Sequence, residues 1–78
     1  MIKYIIQITK SCRGCGVPVA SLEAENLIEA RQKFFNQVKR YKDLIKRVID
    51  CDKIIVTVAK KDEIANFLEY EEIEKCQQ

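Results

Sequence analysis

The chain has no histidine, two glycines and one proline among its 78 residues. Without histidine it lacks the side chain best suited to moving protons near neutral pH. Gly14 and Gly16 cannot by themselves make a glycine-rich phosphate loop, and no strand–turn–helix passage carries an exposed nucleophile. Asp50 and Asp52 are paired carboxylates, but they sit beside Lys53 in what reads as a surface turn. Nothing there suggests the dry, shaped site that shifts a carboxylate's ionisation. These absences argue against an enzyme.

Long apolar runs are missing too, so no segment reads as a membrane span. The stretch Met1-Ile2-Lys3-Tyr4-Ile5-Ile6-Gln7-Ile8-Thr9 is broken by polar residues, unlike the apolar centre of a signal peptide. No repeat or low-complexity tract interrupts the chain. The expectation is a single cytoplasmic domain over residues 1–78. A chain this short buries only about 60% of its unfolded surface. That leaves room for one helix-on-sheet core and little for a deep pocket.

What is present is organised around Leu27 to Ile49, which reads as one long amphipathic helix. Leu27, Phe34, Phe35, Val38, Tyr41, Ile45, Val48 and Ile49 fall within one arc at 100° per residue. Arg31 and Lys42 lie inside that arc and are expected to snorkel. Asn26 is the N-cap, and Glu29 can reach back as in a capping box. Asp50 and Asp52 are unfavourable at the negative end of the helix dipole, so the helix is expected to stop near Ile49.

Two strands precede it. Ile2, Tyr4, Ile6 and Ile8 alternate with more polar residues, as in a strand with one apolar face. Val17 to Ala24 reads as a second strand with Ala20, Leu22 and Ala24 inward, and Pro18 suits an edge or a strand start. Lys53 to Lys60 is the clearest strand. Asp62 can cap a shorter last helix carrying Ile64, Phe67, Leu68 and Ile73. The fold class is therefore α+β, ββαβα. The expected three-stranded mixed sheet has order 2-1-3, with the long helix on one face and the C-terminal helix beside it. A half-covered sheet in so small a chain also suits a homodimer.

This topology places the Cys12-Arg13-Gly14-Cys15 loop, Cys51 and Cys76 at one end of the sheet. Cys-x-x-Cys followed by glycine is the form of a zinc knuckle. With no histidine, Cys51 and Cys76 complete the expected ligand set, with Asp50 or Asp52 as lesser substitutes. Zinc is the expected metal. Structural disulfides are rare in the cytosol, and buried cysteine also serves as plain core filling. Thiol redox chemistry at Cys12 and Cys15 is a further use, but an extended segment follows the motif, and no helix N-terminus is there to activate a thiol.

Charge is unevenly placed. From Arg31 to Arg47 there are seven bases and one acid; from Asp62 to Lys75 there are six acids and one base. The basic flank, Lys33, Lys39, Arg40, Lys46 and Arg47, can follow a phosphate backbone. No exposed aromatic is expected among these residues, because the reading assigns Phe34, Phe35 and Tyr41 to the core. The acidic segment can neutralise the same charges within the molecule. Phe67, Glu69, Tyr70, Glu71 and Glu72 combine carboxylates with aromatics, a mixture suited to a basic site on a protein partner.

The leading expectation is a small non-catalytic interaction protein that acts as inhibitor, adaptor or regulator of a larger protein. The isoleucine- and lysine-rich composition suggests an AT-rich genome, as in phages and other mobile elements. The alternatives are a zinc-stabilised nucleic-acid-binding domain and a Cys-x-x-Cys redox protein.

Overall fold

The computed structural model describes residues 3–13, 15–47 and 51–75. Five elements follow one another: β1 (Tyr4–Cys12), β2 (Cys15–Ala24), α1 (Leu27–Arg47), β3 (Lys53–Lys60) and β4 (Glu63–Glu74). The four strands form one sheet in the order β2-β1-β3-β4. Every neighbouring pair is antiparallel. The expected order 2-1-3 of the first three strands is present, with β2 and β3 both running opposite to β1. The sheet is not mixed, because β2 and β3 run parallel to each other but are separated by β1; it is not three-stranded, because the expected C-terminal helix is the fourth strand.

The reason lies in β3. Ile54, Val56 and Val58 are fully buried, and a strand with that burial needs a neighbour on both edges to satisfy its backbone groups. Residues 63–74 supply the second neighbour. Their apolar spacing at Ile64, Phe67 and Leu68 mimics a helical turn. The pattern then breaks, because the next helical positions, Glu71 and Glu72, are charged. Two register shifts opposite Val58, Ala59 and Lys60 displace the strand's own period of two and hide it from a simple reading.

The helix packs on one sheet face through Ala30, Phe34, Val38, Tyr41 and Ile45. They meet Ile6 and Ile8 of β1, Ile54, Val56 and Val58 of β3, and Ile73 of β4 in one core. Each large side chain so buried is worth about 1.5–3 kcal/mol. The expected inward set of β2 is graded: Ala24 is buried, Leu22 half-buried and Ala20 exposed.

One expectation for the helix is corrected. Phe35 is 59% exposed, because Phe34 already fills the central position and one residue further the surface has turned away from the narrow sheet. Arg31 and Lys42 are exposed as whole residues; Arg31 reaches Glu69 of β4 with its guanidinium, and Lys42 lines a cleft beside Ile45 and Ile73. The N-cap is as expected, with Asn26 Oδ1 accepting the Glu29 N–H at 2.8 Å. Glu29 reaches back one residue further than a capping box, accepting the Glu25 N–H at 3.3 Å. Lys33, hydrogen-bonded to Glu29, holds the Glu29 carboxyl below the usual carboxylate range, with the Glu25 N–H adding to it. Val48, Ile49 and Asp50, the expected end of the helix, lie outside the described residues.

Candidate functional site

The described residues form two layers in a body of 38 × 22 × 17 Å, so the sheet face away from α1 has no covering element among them. Strand register sorts that face into rows across β1, β3 and β4: Ile5–Ala59–Phe67, Gln7–Thr57–Tyr70, Thr9–Ile55–Glu72 and Ser11–Lys53–Glu74. Thr57 and Ala59 are 6% and 4% exposed although no helix covers them. They are small residues on a central strand, each flanked in its row by larger ones, Ile5 and Phe67 beside Ala59 and Gln7 and Tyr70 beside Thr57. Phe67 and Tyr70 stand on the edge strand and stay about half exposed, at 50% and 48%. Their rings stack with centroids 5.8 Å apart, and Ile64 and Leu68 of the same strand are also exposed.

Glu72 and Glu74 stand on this face beside the stacked rings. β4 carries five glutamates and no base. Register splits the partner-binding set expected from the sequence. Phe67, Tyr70 and Glu72 lie on the open face, whereas Glu69 and Glu71 lie on the helix side. Glu69 accepts from Arg31 Nε at 3.1 Å, so part of the tail does neutralise the helix. Glu72 lies 3.4 Å from Lys53 Nζ and also accepts a hydrogen bond from the Tyr70 hydroxyl. That bond raises the Tyr70 phenol above its ordinary value and lowers the Glu72 carboxyl below its own. Tyr70 therefore stabilises the fold below its unfolded value, and the gain is lost as pH rises through the higher folded value. Glu72 contributes above its unfolded value, and its gain is lost as pH falls through the lower folded one. An NMR titration of the Tyr70 ring is expected to have its midpoint above the ordinary value of about 10 and to return toward it in Glu72→Gln. A wild-type midpoint at or below that value contradicts the bond.

The outward face of α1 presents Ile28, Phe35, Lys39, Lys42 and Lys46 along one side, all exposed. Of the five bases read from the sequence, Lys39, Arg40 and Lys46 point to solvent. Lys33 folds back to Glu29 at 3.0 Å and to the Glu23 carbonyl oxygen at 2.6 Å. Arg47 lies 3.7 Å from Asp43. The sequence reading missed Phe35 here; only its place one step off the buried stripe signals its exposure.

At the far end of the sheet, Cys12 and Cys15 face each other as the last pair of the β1–β2 hairpin. Arg13, at φ 54°, makes the left-handed turn of a two-residue hairpin. Asp52 braces this turn. Its Oδ2 accepts the Arg13 N–H at 2.8 Å. Its N–H donates to the Ser11 carbonyl, and its own carbonyl accepts from the Lys75 N–H, both at 3.0 Å. Asp52, read as a substitute ligand, is thus a clasp: its carboxylate holds the turn, and its backbone joins β1 to the residue after β4. Cys51 is buried in the core, and Cys12 packs at its edge. Burial, and then the nearby Cys12, push the Cys51 thiol up. Among the described residues no three cysteine, aspartate or glutamate side chains are grouped to hold a metal ion. Cys76, the fourth expected ligand, lies outside the described residues. Among the described residues, no helix is long and apolar enough to cross a membrane.

Comparison with protein-family models, curated proteins and solved structures finds no match.

Proposed function

We propose that the chain is a small non-catalytic binding domain, an inhibitor, adaptor or regulator that docks the acidic, aromatic edge of its sheet onto a larger protein. The observation that carries this reading is the half-exposed Phe67–Tyr70 stack on a sheet face that no other element covers among the described residues. An aromatic pair in that position gives up little conformational freedom on binding and supplies a large contact area. The glutamates around it favour a partner with lysine or arginine at the contact rim, because unlike charges across an interface speed encounter and fix register. A stoichiometric partner with a basic contact surface, captured by the wild-type chain, supports the reading. A capture that stays empty in repeated trials contradicts it.

The exposed Phe35 favours a second reading, nucleic-acid binding along α1. It sets an aromatic ring beside Lys39, Lys42 and Lys46, and single-stranded nucleic acid is held by such mixtures of bases and stacking rings. Binding of this kind is expected to weaken steeply with salt and to be lost in a Lys39→Glu, Arg40→Glu double variant. Binding that survives that variant at unchanged strength rules the reading out.

A further inference from the structure

We propose that Cys15 and Cys12 form a thiol–disulfide exchange site for small disulfides such as oxidised glutathione, with Cys15 attacking and Cys12 resolving. The inference is independent of the docking surface on β4.

Three observations carry it. First, the two residues are directly opposed across β1 and β2. Opposed residues of antiparallel strands share a face with Cα atoms about 4.5–5.5 Å apart, inside the roughly 4.4–6.8 Å that a disulfide spans. The Asp52 clasp on Ser11 and Arg13 holds this register, so the second thiol is already in place when the first reacts. Second, exposure is graded: Cys15 is exposed, Cys12 half-buried and Cys51 buried. A dissolved disulfide therefore meets Cys15 first. Third, among the described residues Lys10, Arg13, Lys53 and Lys75 stand with Asp52 and Glu74 at this end of the sheet, four cations to two carboxylates, a balance that favours approach of an anionic peptide such as glutathione.

The chemistry balances without another reagent. The Cys15 thiolate attacks one sulfur of oxidised glutathione, forming a mixed disulfide and releasing one glutathione thiolate. The Cys12 thiolate then attacks Cys15 Sγ, closing the Cys12–Cys15 bond and releasing the second. The protein dithiol is oxidised by two electrons, oxidised glutathione is reduced to two glutathiones, and the two thiol protons pass to them. No helix N-terminus activates the first step, so the register acts on the second, by making ring closure intramolecular.

The test is incubation of the folded protein with oxidised glutathione, acid quenching, and mass mapping. Trypsin cuts after Lys10 and Arg13, so the expected bond joins the peptide 11–13 to the peptide 14–31. The protein is expected to lose two hydrogens and to accumulate no mixed disulfide. Cys12→Ser is expected to stop at one glutathione on Cys15. Cys15→Ser is expected to leave Cys12 unmodified over the same time. Cys51→Ala is expected to oxidise as the wild type does. A protein that stays reduced, any other cysteine pairing, or a lasting glutathione on wild-type Cys15 overturns the proposal.

Discussion

Replacing Phe34 with alanine is expected to cost about 3–5 kcal/mol of folding free energy, whereas the same change at Phe35 is expected to cost under about 1 kcal/mol. The two rings are sequence neighbours and touch each other edge to face at 5.5 Å. They differ in where the helix points them. Phe34 is 4% exposed at the centre of the helix–sheet contact, among Ala30, Val38 and the apolar residues of β1 and β3. Its removal loses the transfer energy of a benzyl group and leaves a cavity that the surrounding strands cannot close. Domains hold about 5–15 kcal/mol in all, so Phe34→Ala is expected to bring this small chain close to unfolding at room temperature. Phe35 keeps 59% of its surface in water and has little to lose. Urea denaturation followed by circular dichroism separates the two variants. Equal losses contradict the phase of the helix described above.

The second large effect falls on binding. A Phe67→Ala, Tyr70→Ala double variant is expected to weaken the partner complex by about a hundredfold or more, because two central aromatic anchors each contribute about 1.5–2 kcal/mol or more in interfaces of this kind. The same variant is expected to remain folded. Both rings are about half exposed, and the contact between them is worth only about 0.5–1.5 kcal/mol. An unchanged circular dichroism spectrum with lost affinity is the expected pair of results. A folded variant with undiminished affinity removes the open face from the interface.

Much of the frame is legible from residue order. The alternation of Ile6 and Ile8, the segment from Val17 to Ala24, the run from Ile54 to Val58 and the capped helix from Leu27 specify three strands and a helix. Their directions bring Cys12, Cys15 and Cys51 to one end. Two features are hidden for physical reasons. β4 is disguised because its register shifts break the period of two while Ile64, Phe67 and Leu68 imitate a helical turn. Phe35 is disguised because an arc drawn from hydrophobicity alone is wider than the strip a four-stranded sheet can cover. Each of these features changes the functional reading. A strand instead of a helix sets Phe67 and Tyr70 on an open sheet face and separates Glu72 from Glu69 and Glu71. The outward turn of Phe35 adds an aromatic to a basic surface expected to have none. Asp52 shows the reverse case. Its identity suggests a ligand or an acid, and only the hydrogen bonds from Arg13 and to Ser11 reveal a clasp.

Under the proposed function, the aromatic, acidic edge of the sheet is the surface that meets the partner. The most direct measurement is affinity capture from the source cell with three folded baits: the wild type, Phe67→Ala with Tyr70→Ala, and Lys39→Glu with Arg40→Glu. One stoichiometric protein is expected on the wild type and on the helix variant, and its loss is expected from the β4 variant. A partner that stays with the β4 variant and leaves the helix variant overturns docking through β4 and moves the working surface to α1.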